Sequence, residues 1–379
     1  MGKHDAPPQR HVPHLDIAKD IAEIANKRVS RSDVRKMVLA MLALTVFVIA
    51  MIASYSGAFA KPTLHHLDVA VAAPSQLVDG MRAQDSLSVT QVADADAARA
   101  AVYDRTADAA YAVGPTGELK IYVAGGGGRS VANASESVGR AIAAKAGLTP
   151  SVEDVAPTSA ADPQGTVEFY AVIFLSIGAT LGASVFGFMM GSVRRFSTLA
   201  LRTLSLGVYS ALLAAGVTLY VDGVLGALTS HTWQVFGALW LYAMAVAGAV
   251  TGVAAALGTV ASALLTAFLV IVGNAAAAGP VGLPLLTGFY RALNVVVPQG
   301  SGVALLRSIE YFGGNGAATP ILTLAIWGAV GLTLAMITVL APRVWTNYRA
   351  SHDRYRVTAR RESGRDSAVL RPRLLSPVD

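Results

Sequence analysis

Residues 37–60, MVLAMLALTVFVIAMIASYSGAFA, run for 24 positions without a charge; a polar stretch, 61–166, follows, and five more apolar segments crowd into 167–341. A bilayer core of about 30 Å takes roughly 20 apolar helical residues to cross. Only helices or closed barrels satisfy their backbone groups there, and runs this long exclude barrel strands. The expected fold is therefore an α-helical polytopic membrane protein with six spans and one extracytoplasmic α/β domain inserted between spans one and two. Spans are expected at 37–60, 167–191, 203–221, 233–257, 259–278 and 320–341. Gly258 alone separates the fourth from the fifth.

Composition agrees with the spans. The chain is 54% hydrophobic and 14% charged, and it has no cysteine, so disulfides, thiolate metal sites and cysteine nucleophiles are excluded. The net charge of +6 would suit nucleic acid, but the placement of the charges argues against that partner. Twenty of the 30 Lys and Arg fall in the tail 1–36, the loop after span two (Arg194, Arg195, Arg202) and the tail 342–379. The positive-inside rule then puts both termini in the cytoplasm and 61–166 outside the plasma membrane. The first span follows a 36-residue charged tail, so an uncleaved anchor is expected rather than a signal peptide.

Within 61–166, LDVAVAA (67–73), LSVTQVAD (87–94) and GELKIYVA (117–124) read as strands. PSQLVDGMRAQ reads as a helix, as do an alanine-rich segment capped by Asp94 or Asp96 and running to about Tyr111, and 130–147. GGGG (125–128) reads as a flexible turn and the proline-bearing 149–165 as a linker back to the membrane.

Few motifs carry chemistry. VAGGGGRS (123–130) lacks the lysine of a phosphate loop and reads as a turn. HVPHLD (11–16) and His65-His66 form no spaced ligand set, so no metal and no cofactor is expected. No HExxH, GxSxG or aspartate pair lies at membrane depth, so the chain is not expected to be an enzyme. Leu15, Ala18, Ile21, Ile24 and Ala25 recur at helical spacing opposite Lys19, Asp20, Glu23 and Lys27, an amphipathic helix that suits either the inner membrane surface or a cytoplasmic partner. Gly178/Gly182, Gly187/Gly191 and Gly248/Gly252 allow close helix approach, within the chain or in a homodimer.

The segment 283–312 is apolar and helical in period, yet Pro284, Pro298 and Gly300 break it, and Arg291, Arg307 and Glu310 sit poorly in lipid. A broken hairpin dipping into the outer leaflet satisfies both facts, with a pair of surface helices as the alternative. Inside the spans, Glu168 stands at the outer mouth of the second and Asn274 within the fifth. So sparse a set weighs against a proton relay or an ion channel.

The plan resembles the ABC-2-type permease superfamily, and more closely its YhgE/Pip-like and nitrosoguanidine-resistance-like branch. The likeness rests on the lead helix 15–28, the large domain between spans one and two, DPQG-x-x-EFY (162–170) opening span two, and PQGSGVALLRSIEYFGG (298–314) before the last span. It implies a permease, dimeric in such systems, that exports a hydrophobic or amphiphilic compound with a separate ATPase. The lead helix (Ile21, Ile24) and the loop Gly191–Arg202 (Arg194, Arg195) would face the ATPase. Spans two and five would line the path, with Glu168, Asn274, Arg291, Arg307 and Glu310 at the path or outer gate. The rival reading is an envelope scaffold whose external domain binds a partner protein.

Overall fold

The computed structural model describes residues 30–191, 193 and 195–341. The lead helix with Ile21 and Ile24, Arg194 and the basic tail lie outside the described residues. The chain divides into two units, Met1–Ala50 and Met51–Asp379. In the first, the described residues form most of helix α1 (Arg31–Phe59), whose apolar side chains are exposed up to Ala50 except for the half-buried Phe47 and Ala50.

The polar stretch folds as β1 (Leu67–Ala72), α2 (Ser75–Arg82), β2 (Leu87–Gln91), α3 (Ala95–Tyr103), β3 (Ala109–Val113), β4 (Glu118–Val123), α4 (Arg129–Ala146) and β5 (Thr149–Asp154). The sheet order is β2-β1-β3-β4-β5, with β3–β4 antiparallel and the other pairs parallel. Period-two alternation sends Leu67, Val69, Val71, Tyr111 and Ile121 to one face. Ala70, Ala72, Ala110 and Ala112 go to the other, where small side chains let α3 lie close. Tyr111 donates its hydroxyl to the Ser135 carbonyl at 2.8 Å, and a Cβ on Gly139 would come within 2.7 Å of the Tyr111 ring, so α4 presses hard on the sheet. Asp94 caps α3 by accepting from the Ala97 amide at 2.8 Å. Asp94→Ala should cost about 1 kcal/mol, read by thermal unfolding of the full chain.

Two strands were not expected. The alanine-rich helix stops at Tyr103 rather than near Tyr111, and Ala109–Val113 becomes the central strand because it is buried between β1 and β4. Tertiary pairing overrides alanine's helical preference there. The expected linker begins instead as β5, an edge strand paired only with β4, a place where Pro150 is tolerated. The glycine run is a tight 3-10 turn with buried glycines, not a loose one: the Gly125 amide donates to Asp154 Oδ1 and the Gly126 amide to the Ala156 carbonyl.

Five further helices are long and apolar enough to cross a membrane: α5 (Val167–Met190), α6 (Phe196–Val224), α7 (Thr232–Leu257), α8 (Thr259–Ala276) and, after two shorter helices, α11 (Ala318–Ala341). With α1 they make six among the described residues. The third starts at Phe196, seven residues before the expected 203, and Gly258 at φ +90° makes the α7–α8 turn. The shorter helices are α9 (Gly288–Asn294) and α10 (Pro298–Tyr311). They are unlike one another: α9 buries no residue, whereas α10 is buried almost throughout, with Val303, Leu305, Leu306 and Ile309 in the core formed by α5 and α7. The surface-pair alternative therefore fails for α10.

The glycine pairs serve packing within the chain. A Cβ on Gly182 would overlap the Tyr209 ring of α6, and one on Gly252 would overlap the Gly331 backbone of α11. Arg202 turns inward over Gly187, and its guanidinium donates to the Ala183 and Gly191 carbonyls at the end of α5. Its charge thus meets the negative end of that helix rather than standing free in a loop.

Candidate functional site

The side chains of α10 join the sheet domain to the helices. Arg307, 4% exposed, donates Nη1 to the Gly127 carbonyl (3.0 Å) and Nη2 to those of Gly165 (3.2 Å) and Gly279 (2.9 Å). One planar fork thus ties the turn after β4, the segment leading into α5, and the loop after α8. Glu168 is fully buried in the first turn of α5, where Arg307 and the Tyr311 hydroxyl act on its carboxyl and Asp162 adds a like charge. Neither Glu168 oxygen meets a donor in hydrogen-bond geometry, nor does the Tyr311 hydroxyl complete a bond. Tyr311 lies so close to Gly126 that no Cβ fits there. Asp162 itself accepts from the Thr166 and Val167 amides, both at 2.8 Å, and starts α5. This gives the DPQG stretch a structural role.

Arg105 makes a second clasp. It holds φ +60° just after α3, a conformation that normally favours glycine, and donates to the Ala304 carbonyl (2.9 Å) and Ser308 Oγ while lying 4.9 Å over the Phe312 ring. Burial, with the Arg307 charge nearby, pulls the Arg105 guanidinium down to about 10. Burial, assisted by the Asp68 charge, raises the Asp108 carboxyl to about 6, against the pull of the Asp68 amide and of Arg105. A carboxyl that holds its proton more tightly in the folded chain adds stability below its unfolded value near about 4. That contribution disappears as pH climbs through about 6. The melting temperature of the full chain should therefore fall between about pH 4 and 6 more steeply than that of Asp108→Asn.

Deeper in the helices lies a line of polar side chains. Gln299 Nε2 donates to Ser176 Oγ (3.2 Å) and to the Leu269 carbonyl (3.0 Å). That carbonyl opens the wide turn Leu269–Gly273 within α8, where it also accepts the Asn274 amide across the widened turn. Ser176 acts on the buried Tyr242 hydroxyl, and Asn274 on that of the half-buried Tyr55. Gln299 Oε1, the Tyr242 hydroxyl and both polar atoms of Asn274 have no hydrogen-bond partner.

Of the residues expected at the path or gate, Glu168 and Arg307 come together, and Asn274 joins the deeper line. Glu310 turns elsewhere: Oε1 accepts from the Thr229 and Ser230 amides and from Ser230 Oγ, pinning the α6–α7 connection. Arg291 stands half-buried on α9 and donates to the His65 carbonyl at 3.1 Å. Arg195, expected to face an ATPase, is exposed at the start of α6. The sequence reading missed Ser176, Tyr242, Gln299 and Tyr311, and also Arg105 and Asp108. Gln299 follows the helix-opening Pro298, and its amide inside an apolar helix was the one available signal. Among the described residues no three His, Cys, Asp or Glu side chains gather to hold a metal.

Six apolar helices of membrane-crossing length and a small mixed α/β sheet are compatible with a multi-pass membrane protein. Compared with known protein families, curated proteins and solved structures, the chain matches none of them.

Proposed function

We propose that this chain is the plasma-membrane subunit of an exporter, with both termini cytoplasmic and a separate ATPase as its engine. Its cargo is a hydrophobic or amphiphilic compound, an envelope lipid or drug, as the resemblance to ABC-2-type permeases implies. The observation that carries the reading is the buried, unsatisfied polar line Asn274–Gln299–Tyr242 among otherwise apolar helices. An unpaired buried polar group costs about 1–3 kcal/mol, and its persistence points to a role beyond packing. The path runs among α5, α7, α8 and α10, wider than spans two and five alone, and the Arg307 fork with Glu168 closes its outer end. Any homodimer uses a surface other than the Gly182 and Gly252 faces, which are occupied within the chain.

The test joins stability to transport. Asn274→Leu removes two unpaired polar atoms, so its melting temperature should hold or rise, yet efflux should fall about tenfold. Tagged protein from its native membrane should bring down a stoichiometric ATPase, lost in Arg194→Glu/Arg195→Glu. The reading fails if no ATPase co-elutes and deleting the gene leaves efflux unchanged.

One feature favours the scaffold reading. An open crevice of about 580 Å³ lies at the carboxyl ends of β1, β2 and β3, between Ala72–Pro74, Gln91–Ala95 and Ala112–Pro115, where open α/β sheets commonly bind partners. Deleting 64–160 is a poor test, because the sheet core continues into Ala275, Ala278, Val281 and Leu286. Ala93→Arg, on the exposed rim, serves better. Loss of a co-eluting envelope protein in Ala93→Arg, with retention in Asn274→Leu, would establish the scaffold.

A further inference from the structure

A cavity of about 290 Å³ lies between the sheet domain and α10, close to the lower end of ligand pockets at about 300 Å³. Its lining includes Asp68, Arg105, Asp108, Asn294, Ala304 and Arg307. The charges are sorted by wall. Both carboxylates stand at the amino ends of β1 and β3, where the Asp68 amide donates to Asp108 Oδ2 at 3.1 Å. Both guanidiniums lie along α10: Arg307 belongs to it, and Arg105 is bonded to its Ala304 carbonyl and Ser308 hydroxyl. No salt bridge joins the walls among the described residues, and the Asp68 carboxylate makes no hydrogen bond there. Arg307 is buried, yet its Nε–H is unpartnered. The backbone is constrained at the same place: Arg105 and Ala278, on the wall, and His66, two residues before Asp68, are the three non-glycine residues with left-handed φ among those described. Such conformations cost about 1–3 kcal/mol each and gather at ligand clamps.

We propose that this cavity binds a small zwitterion, its ammonium against Asp68 and Asp108 and its phosphate or carboxylate against Arg307 Nε and Arg105. A simple anion would leave the Asp68 carboxylate without a partner, and a simple cation would leave the Arg307 Nε–H without one. A dipolar ligand a few bonds long satisfies both walls at once. Phosphoethanolamine has this chemistry, free or as a lipid headgroup. The site stands whether or not the helices transport anything.

The absence of native cysteine gives a clean test. Ala304→Cys in the full chain, reconstituted in nanodiscs of phosphatidylglycerol, is labelled with a maleimide while O-phosphoethanolamine is titrated. Labelling should slow saturably, by about tenfold at ten times the dissociation constant. Phosphate alone and ethanolamine alone at the same concentrations should protect far less, and Asp68→Asn or Asp108→Asn should abolish protection. Asp68 is exposed, so its variant is expected to fold. Calorimetric titration of the unsubstituted chain gives the same answer should Ala304→Cys misfold. Protection only when phosphatidylethanolamine replaces phosphatidylglycerol would assign the zwitterion to a lipid headgroup; protection by the soluble compound would assign it to a free ligand. The proposal is overturned if neither form protects or gives binding heat up to about 10 mM, or if phosphate alone protects equally and does so in the aspartate variants.

Discussion

Gly252→Val is expected to unseat α11 from α7 and to leave little folded protein. A Cβ at 252 would overlap the Gly331 carbonyl, and one at 331 would overlap the Gly248 carbonyl, so backbone meets backbone on both sides of the seam. No side chain can swing away to make room. The helices must part, and a cavity already lined by Leu206, Leu241 and Leu324 beside the seam would widen. Overpacking a core costs about 1–3 kcal/mol when side chains can yield, and more when they cannot. Replacing glycine in a helix returns at most about 1 kcal/mol of backbone entropy, so the steric term wins. Gly207→Ala is the control: nothing lies within 4 Å of its Cβ, and stability should hold or rise. Monodispersity and melting temperature in detergent measure both. A Gly252→Val protein that melts with the native one would refute the packing described for this seam.

Arg307→Gln should loosen the sheet domain from the helices without unfolding either. It removes charge-assisted bonds to the Gly127, Gly165 and Gly279 carbonyls, each worth about 1.5–3 kcal/mol and not additive. It also strands the buried Glu168 carboxyl without its cation. Hydrogen exchange should rise at 124–131 and 157–166 while the centre of α7 keeps its protection. Arg307→Lys should recover little, because an ammonium keeps the charge but loses the planar fork. Adding Glu168→Gln to Arg307→Gln should restore part of the loss, since a buried ionisable carboxyl left without its neighbouring cation is then gone. Unchanged exchange in Arg307→Gln would show that the fork does not hold the junction.

All six apolar segments were legible, because length and hydropathy act residue by residue and need no partner. Four of their starts fall within two residues of expectation; the first begins six residues early, at Arg31, and the third seven early, at Phe196, where Arg202, read as a loop charge, folds back onto α5 carbonyls. Strands β1, β2 and β4 showed through their alternation. β3 and β5 did not: an alanine-rich segment and one bearing Pro150 become strands only when β1 and β4 offer them edges. The candidate site was half visible. Glu168, Asn274 and Arg307 stand out as polar residues in apolar surroundings, but Gln299 and Tyr242 acquire meaning from Ser176 and from the Leu269 carbonyl of the wide turn. Arg105 and Asp108 are ordinary surface types in sequence; Arg105 becomes a half-buried clasp only against α10, and Asp108 is half-buried where it accepts from the Asp68 amide.

The amino-acid sequence by itself determined which segments are apolar enough for a membrane and which stretch is polar enough to fold as a domain, since both are sums over local composition. Only the tertiary structure decided that α10 is a buried keystone rather than a surface helix, that the glycine pairs face helices of the same chain, and that two arginines and two aspartates meet across one cavity. Each of those depends on residues up to about 240 positions apart in the chain, as between Asp68 and Arg307, whose encounter no local pattern encodes.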